Sequence, residues 1–323
     1  MAKRKRKTAA KKVSVSVSII LAVFLSFFVL RAIDNRLGFG IFDKIEEALS
    51  NAVQQENSTG LGGKTAADED LQVHFIDVGQ GDSILIRSDG HNILIDAGEN
   101  DKGQTVVSYL ESQGVKTLDL VIGTHPHSDH IGGLDVVINE MDVKQVLMPS
   151  LKKSVMPTTK TYRDLLTSIQ NKNLTATTSK PGQTYTFGKG VLTVLGPVED
   201  YDDLNDTSLV ARFDYGEHSF LFTGDMEKGA EQDLLASGAD VSAEVLKLGH
   251  HGSSTSSSKA FYETVAPSYC VASCGEDNEY GHPHKETLQR VQQSGAELYR
   301  TDYQGSIVFT IQNGKLAIST QKG

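Results

Sequence analysis

Apolar residues along this chain recur with two periods, and the changes between them mark out a fold. Residues 71–78 and 83–86 alternate as strands around Gly79-Gln80-Gly81-Asp82, a hairpin signal, and residues 91–97 make a third strand. Residues 104–113 have helical spacing, and 118–124 form an apolar strand. Further on, helices expected at 162–171, 227–236, 258–265 and 285–293 alternate with strands at 191–195, 208–215, 219–223, 244–248, 268–272 and 306–311. Hairpins combined with covering helices predict a layered α/β domain with at least one mixed sheet, covering residues 71–323. That span is long enough for a sizeable core.

The pattern before residue 71 is of another kind. Val13 to Leu30 is a run of 18 residues without a charge, against the ~17–25 that a membrane-spanning helix needs. Seven basic residues and no acid precede it. The positive-inside rule then predicts a basic cytoplasmic tail at 1–12, a single transmembrane anchor at 13–30, and everything after Arg31 outside the cytoplasm. Secretion after signal-peptide cleavage is the alternative. No Ala-x-Ala site follows Leu30 and no cysteine is placed for lipid attachment, so an uncleaved anchor is the expected form. Residues 31–70 read as a spacer. Ile41, Ile45, Ala48, Leu49 and Ala52 give 41–53 a weak helical period, and 54–70 has the composition of a flexible linker.

Charge narrows the range of partners. The chain carries a formal net charge of −10. With seven bases confined to the first twelve residues, the remainder is more acidic still. Such a body does not attract nucleic acid by bulk electrostatics. A polyanionic substrate has to be drawn in by bound metals or by a local patch.

The densest chemistry lies in Thr124-His125-Pro126-His127-Ser128-Asp129-His130-Ile131-Gly132-Gly133, just after the apolar run 118–122. Imidazole and carboxylate ligands suit Zn²⁺, with Mn²⁺ as the alternative. His125 with His127, and Asp129 with His130, are placed to flank two metals side by side. Paired metals about 3.5–4 Å apart generate hydroxide and clamp phosphates.

Together these motifs resemble the metallo-β-lactamase fold superfamily and, more narrowly, the hydrolase domain of the ComEC family of DNA-uptake proteins. The resemblance spans nearly all of 71–318. It rests on Phe75-Ile76-Asp77-Val78-Gly79-Gln80-Gly81-Asp82, Leu94-Ile95-Asp96-Ala97-Gly98 and the His/Asp loop. It continues through Asn205-Asp206-Thr207-Ser208-Leu209-Val210, Phe220-Leu221-Phe222-Thr223-Gly224-Asp225, Leu246-Lys247-Leu248-Gly249-His250-His251-Gly252-Ser253 and Tyr280-Gly281-His282-Pro283. It implies a four-layer αββα sandwich with two divalent metals in a cleft at the strand ends. The chain lacks the many membrane helices of a DNA channel, so a translocation role does not carry over.

The resemblance also implies roles. His125, His127, Asp129, His130, Asp225 and His251 are the expected metal ligands, with Asp225 bridging both ions. Either of His250 and His251 could close the second metal site; His251 is expected to do so, leaving His250 to touch substrate or a ligand. Asp96 is expected to hold the metal loop through hydrogen bonds. Asn205, Asp206, Ser253 and Tyr280 are expected around the ligands or the substrate. Asp129 and His282 are the expected catalytic residues, His282 by giving a proton or hydrogen bond to a phosphate. The run 253–258 is open to two readings, a hydroxyl cradle for phosphate or a flexible polar loop.

One departure matters. Most hydrolases of this superfamily carry a histidine roughly twenty residues before the bridging aspartate. Here only His218, a hairpin residue, lies between His130 and His250, and the expected region holds Asn205-Asp206-Thr207-Ser208. The ComEC-like pattern lacks that histidine too. The departure argues against a β-lactamase and leaves one metal open to water or phosphate.

The expected protein is therefore a membrane-anchored, outward-facing dinuclear metal-dependent hydrolase, a phosphodiesterase or nuclease whose substrate is DNA. A phosphocholine or teichoic-acid esterase acting on wall polymer is one alternative, and a non-catalytic binding module of an uptake system is another. His74 and His91 read as structural or exposed. Cys270 and Cys274 lie about 13 Å apart if extended, too far for a disulfide, and read as buried thiols.

Overall fold

In the computed structural model residues 70–322 are described. The anchor expected at 13–30 and nearly all of the spacer lie outside them. Among the described residues no helix is long and apolar enough to cross a membrane.

The first half of the described chain runs β1 (Leu71–Phe75), β2 (Ile84–Ser88), β3 (His91–Ile95), α1 (Gly103–Ser112), β4 (Thr117–Leu118), β5 (Leu120–Ile122), α2 (Ser128–Ile131), α3 (Leu134–Glu140), β6 (Asp142–Val143), β7 (Val146–Met148), α4 (Lys160–Asn171) and β8 (Ala176–Thr178). The second half runs β9 (Thr184–Phe187), β10 (Gly190–Gly196), β11 (Val210–Tyr215), β12 (His218–Phe222), α5 (Lys228–Ala236), β13 (Val245–Lys247), a 3-10 turn at Gly249–Gly252, α6 (Lys259–Val265), β14 (Tyr269–Ala272), α7 (Lys285–Ser294), β15 (Glu297–Arg300), α8 (Thr301–Gln304), β16 (Ile307–Gln312) and β17 (Lys315–Thr320).

β4 pairs with β6 in a small parallel sheet, and the other strands form two large mixed ones. One has eight strands in the order β17-β16-β1-β2-β3-β5-β7-β8, the other seven in the order β15-β14-β13-β12-β11-β10-β9. Each is antiparallel on one side and parallel on the other: β3, β5, β7 and β8 run parallel, as do β12, β13, β14 and β15. The period-2 pattern explains the layering. Ile93 and Ile95 of β3, and Phe220 and Phe222 of β12, join the core between the sheets. Leu94, between the first pair, packs under α1, α3 and α4. Leu221, between the second pair, packs under α5 and α6. Both faces of each central strand are thus buried, and the architecture is the αββα metallo-β-lactamase sandwich.

The structure differs from the sequence expectation mainly at sheet edges. β8, β9, β15 and β17 were not anticipated, and they are the four outermost strands of the two sheets. An edge strand buries little of itself, so it lacks the apolar alternation that marks a central strand. The three-residue β7 and the short helix α3 also escaped, both too brief for a periodic signal. The strand expected at 118–124 is split at Asp119, whose Oδ2 accepts the Asn92 N–H at 2.9 Å and whose own N–H donates back to the Asn92 carbonyl. Cys270 and Cys274 are free and buried.

The functional loops leave the parallel strands at their carboxyl ends. Asp96 follows β3, the His/Asp loop follows β5, Asp225 follows β12, and His250-His251 follow β13. Both sheets therefore deliver side chains to the same end of the sandwich.

Candidate metal centre

Asp96 is buried at the end of β3 with a φ of 58°, a left-handed conformation that costs a non-glycine residue about 1–3 kcal/mol. The turn aims its carboxylate into the loop after β5. Oδ1 accepts the Thr124 backbone N–H at 2.8 Å and Oδ2 accepts the Thr124 hydroxyl at 2.6 Å. The same Oδ2 lies 2.8 Å from Nδ1 of His130. The opposite nitrogen of His130, Nε2, points at Asp225 Oδ1, 3.1 Å away.

His125 and His127 occupy the other side of the loop, with His125 Nε2 3.1 Å from His127 Nδ1. Asp225 stands between the two groups. Its Oδ2 lies 3.9 Å from His125 Nε2, 3.7 Å from His250 Nε2 and 3.4 Å from His251 Nε2. Its backbone N–H is held by the Ser208 hydroxyl at 3.0 Å, which gives the Asn205-to-Ser208 segment a role behind the site. Asp129 Oδ2 lies 3.1 Å from His251 Nε2.

His250 and His251 both adopt left-handed backbone, φ 49° and 54°. Two consecutive strained residues turn both rings toward Asp225. His251 is buried, and its Nδ1 donates to the Ser273 carbonyl at 2.9 Å. His250 is more open. Its Nδ1 lies 3.2 Å from Glu227 Oε1, and that oxygen also accepts from the Asn205 amide at 3.3 Å. Asp206 holds the Glu227 backbone N–H at 3.0 Å. Asn205 and Asp206 thus act on His250 through Glu227, a residue that sequence reasoning passed over.

The residues present fit a divalent cation. His130 Nε2 and Asp225 Oδ1 are both buried and have no hydrogen-bond partner among the described residues, although they face each other at 3.1 Å. Buried polar atoms are nearly always satisfied, and two lone-pair donors converging on one point suit a cation. Ligand-type atoms of Asp82, His130, Asp225 and His251 all lie within 4.8 Å of one another, and all four residues are buried. Asp82 was quoted as part of a motif but given no role from the sequence.

Electrostatics agree with a site built for positive charge. Burial opposes protonation of His130, yet Asp225, Asp129 and Asp96 together hold its imidazole well above the usual value. His251 is raised in the same way, burial being outweighed by Asp225, Asp129 and Asp82. Against its own burial, Asp225 is held well below the carboxylate range by His130 and His251. Without a cation, the carboxylates hold protons on the imidazoles instead.

His282 sits over the pocket, its ring centroid 5.4 Å from that of His250 and 6.0 Å from that of His251. Asn278 fixes its backbone through the His282 N–H and carbonyl, at 2.9 and 2.7 Å. Its Nδ1 is buried and has no partner among the described residues. Burial and the neighbouring imidazoles push its pKa down to about 4, so near neutrality it is an uncharged ring. Tyr280 is 66% exposed and stacks on His282 at 5.5 Å. Ser253 holds Thr255, whose hydroxyl reaches His250 Nδ1 at 3.3 Å. The loop 253–258 is not wholly a loose polar stretch: Ser256 and Ser257 are buried, and the Ser257 hydroxyl accepts the Gly249 N–H at 3.1 Å.

Comparison with known proteins bears on the fold. The profile of the Metallo-beta-lactamase superfamily matches residues 76–272. The chain is 30% identical over 261 residues to ComE operon protein 3 of Bacillus subtilis, covering 75% of this chain and 33% of that protein. It is 33% identical over 251 residues to Competence protein ComA of Neisseria gonorrhoeae, covering 76% and 33%. The chain thus spans about a third of the length of these curated relatives. Among solved structures, CmlA, a diiron β-hydroxylase from Streptomyces venezuelae, shares the fold at 14% identity and a TM-score of 0.51, covering 76% of this chain and 54% of that one.

Proposed function

The chain belongs to the metallo-β-lactamase superfamily and carries its metallo-hydrolase fold, and on that premise we propose that it is a membrane-anchored, extracytoplasmic, dinuclear phosphodiesterase or nuclease acting on DNA. The observation that carries this reading is the position of Asp225. One of its oxygens faces His130, and the other faces His125, His250 and His251. A carboxylate so placed would serve two cations at once. His125, His127 and His250 would serve one ion, and Asp129, His130 and His251 the other. His250 then takes the place of the histidine missing before the bridging aspartate. Two divalent ions, Zn²⁺ or Mn²⁺, supply Lewis acidity and an activated water for attack on phosphorus.

The chain's own residues do the rest. Asp96 and Glu227 orient His130 and His250 from behind, as carboxylates do for ligating imidazoles. Neutral His282 offers a hydrogen bond to a phosphate oxygen or a proton acceptor to the incoming nucleophile. The exposed ring of Tyr280 offers a face on which a base stacks. A relative named as a competence protein supports DNA as the substrate. The run 13–30 serves as the anchor, with residues 1–12 in the cytoplasm.

The same Tyr280 face accepts a quaternary ammonium, which keeps a phosphocholine or wall-polymer esterase as the second reading. Assay of the full-length protein with Mn²⁺ or Zn²⁺ separates the two. Cleavage of bis-p-nitrophenyl phosphate and of single- or double-stranded DNA is expected, with negligible turnover of nitrocefin. Activity confined to phosphocholine esters would transfer the assignment to the second reading, and nitrocefin hydrolysis without phosphoesterase activity would overturn both. Protease added to intact cells is expected to digest the domain and spare the first twelve residues; a shielded domain would refute the topology.

A further inference from the structure

Lys247 is the anomaly of the second sheet. It ends β13 in Val245-Leu246-Lys247, where alternation sends it to the same inner face as Val245, and it is fully buried. A charged group on a core face needs a partner. Lys247 Nζ donates to Asp82 Oδ2 at 2.9 Å and to the Leu248 carbonyl at 2.9 Å. Asp82 comes from the opposite sheet, in the connection between β1 and β2, so the pair bridges the two sheets beside the metal pocket.

Asp82 is tied into that pocket from several sides. Its N–H donates to the Asp129 carbonyl at 3.1 Å, and its carbonyl accepts the Gly98 N–H at 2.9 Å. The approach is so close that a Cβ on Gly81 would lie 2.3 Å from the Asp129 carbonyl oxygen. Asp82 Oδ1 lies 3.3 Å from His251 Nδ1, whose N–H the Ser273 carbonyl accepts, on the side of the ring opposite Asp129 and Asp225. Its carboxylate is near enough to His130, Asp225 and His251 to join a cation's shell. Lys247 holds Oδ2 and so restrains the carboxylate as a whole, while Oδ1 is buried and has no hydrogen-bond partner among the described residues.

We propose that Lys247 and Asp82 are a positioning pair: the ammonium pins Asp82 as the negative charge behind His251, next to the Ser273 carbonyl that takes its Nδ1–H, and keeps it from becoming a further metal ligand. Holding Asp82 back preserves an open position for a substrate oxygen. Backing carboxylates fix the orientation and raise the basicity of a ligating imidazole, and losing one costs about 10–100-fold in metal affinity.

The proposal rests on the dinuclear reading, and cobalt titration of the full-length chain tests the two separately. Wild type is expected to take two equivalents of Co²⁺; failure to do so would sink the dinuclear reading itself. Asp82→Asn should still take two, the one held by His251 about 10–100-fold more weakly, with cobalt d–d bands of wild-type shape. Lys247→Met should change the shape of those bands, as freed Asp82 enters the coordination shell. The double variant Lys247→Met/Asp82→Asn, which leaves no buried charge unpaired, should return the band shape to wild type and keep the weak affinity. Loss of a whole equivalent in Asp82→Asn would make Asp82 a ligand and overturn the proposal. So would wild-type affinity in both Asp82→Asn and the double variant, or wild-type bands in a folded Lys247→Met protein. If melting shows Lys247→Met to be unfolded, Asp82→Asn and the double variant decide alone.

Discussion

His130 Nδ1 lies 2.8 Å from Asp96 Oδ2, and that contact dictates which nitrogen of His130 faces the pocket. With Nδ1–H donated to the carboxylate, only Nε2 is left to meet Asp225. Asp96 also holds Thr124 through backbone and hydroxyl, so one carboxylate sets both the loop and the ring. Asp96→Ala is expected to weaken binding of one metal by about 10–100-fold while leaving the other in place. Metal content after dialysis against graded chelator checks this, and equal retention of both metals would count against it.

Asp225→Ala should lose both ions, since each of its oxygens faces a different set of imidazoles. His251→Ala and His250→Ala should each lose or weaken one ion, and not the same one. Elemental analysis of the purified variants reads this directly. Normal metal content in Asp225→Ala would remove the bridging role.

Metal binding should release protons. His130 and His251 are held well above their usual pKa in the metal-free protein, so they carry protons near neutrality that a cation must displace. Affinity should therefore fall as pH falls. Calorimetric titration in buffers of differing ionisation enthalpy measures the proton count, and a count of zero at neutral pH would contradict the arrangement.

His282→Ala is expected to lower turnover on bis-p-nitrophenyl phosphate by about 10²–10⁴-fold, the range of a general acid–base group, with metal content unchanged. With its pKa depressed to about 4, His282 is neutral throughout the pH 5–8 range. The wild-type rate profile should show no inflection there that disappears in the variant. Loss of metal from His282→Ala would redraw its role as a ligand.

Away from the metals, His74 makes stability depend on pH. It is buried on β1, with Nδ1 3.0 Å from the Tyr109 hydroxyl. Burial, followed by the charge of Arg87, lowers its pKa to about 3. The unfolded chain takes up the proton below about pH 6.5, whereas the folded one does so only near pH 3. Stability is thus unaffected above pH 6.5 and declines as pH falls from there to the folded pKa, by about 1.4 kcal/mol per pH unit. Between pH 6.5 and 5, metal-free wild type should lose about 2 kcal/mol more than metal-free His74→Gln. Urea unfolding at the two pH values measures the difference, and parallel curves would refute it.

Much of the site was legible because it is local. Asp96 and Asp225 each end an apolar strand in a turn, and four ligand types crowd the loop after β5. A strand that stops at such residues must present them at the sheet's end. Central strands other than the three-residue β7 were legible for a related reason: burial on both faces leaves an apolar run. Edge strands β8, β9, β15 and β17 were not, because half-exposed backbone pairs through N–H and C=O groups that leave no pattern in side chains.

What the sequence determined by itself, then, was most of the central strands, the fold they predict, and the order of the candidate ligands in the loop. Only the tertiary structure decided which partners stand behind those ligands. Glu227 behind His250, and Lys247 with Asp82 beside His251, come from segments far apart in the chain and meet across loops and sheets. Lys247 did leave a trace, a charge at an inward position of β13, but the trace does not say which carboxylate answers it. Hydrophobic alternation depends on a residue's own side chain and its near neighbours. The pairing of buried charges depends on which strand ends the folded sandwich brings together.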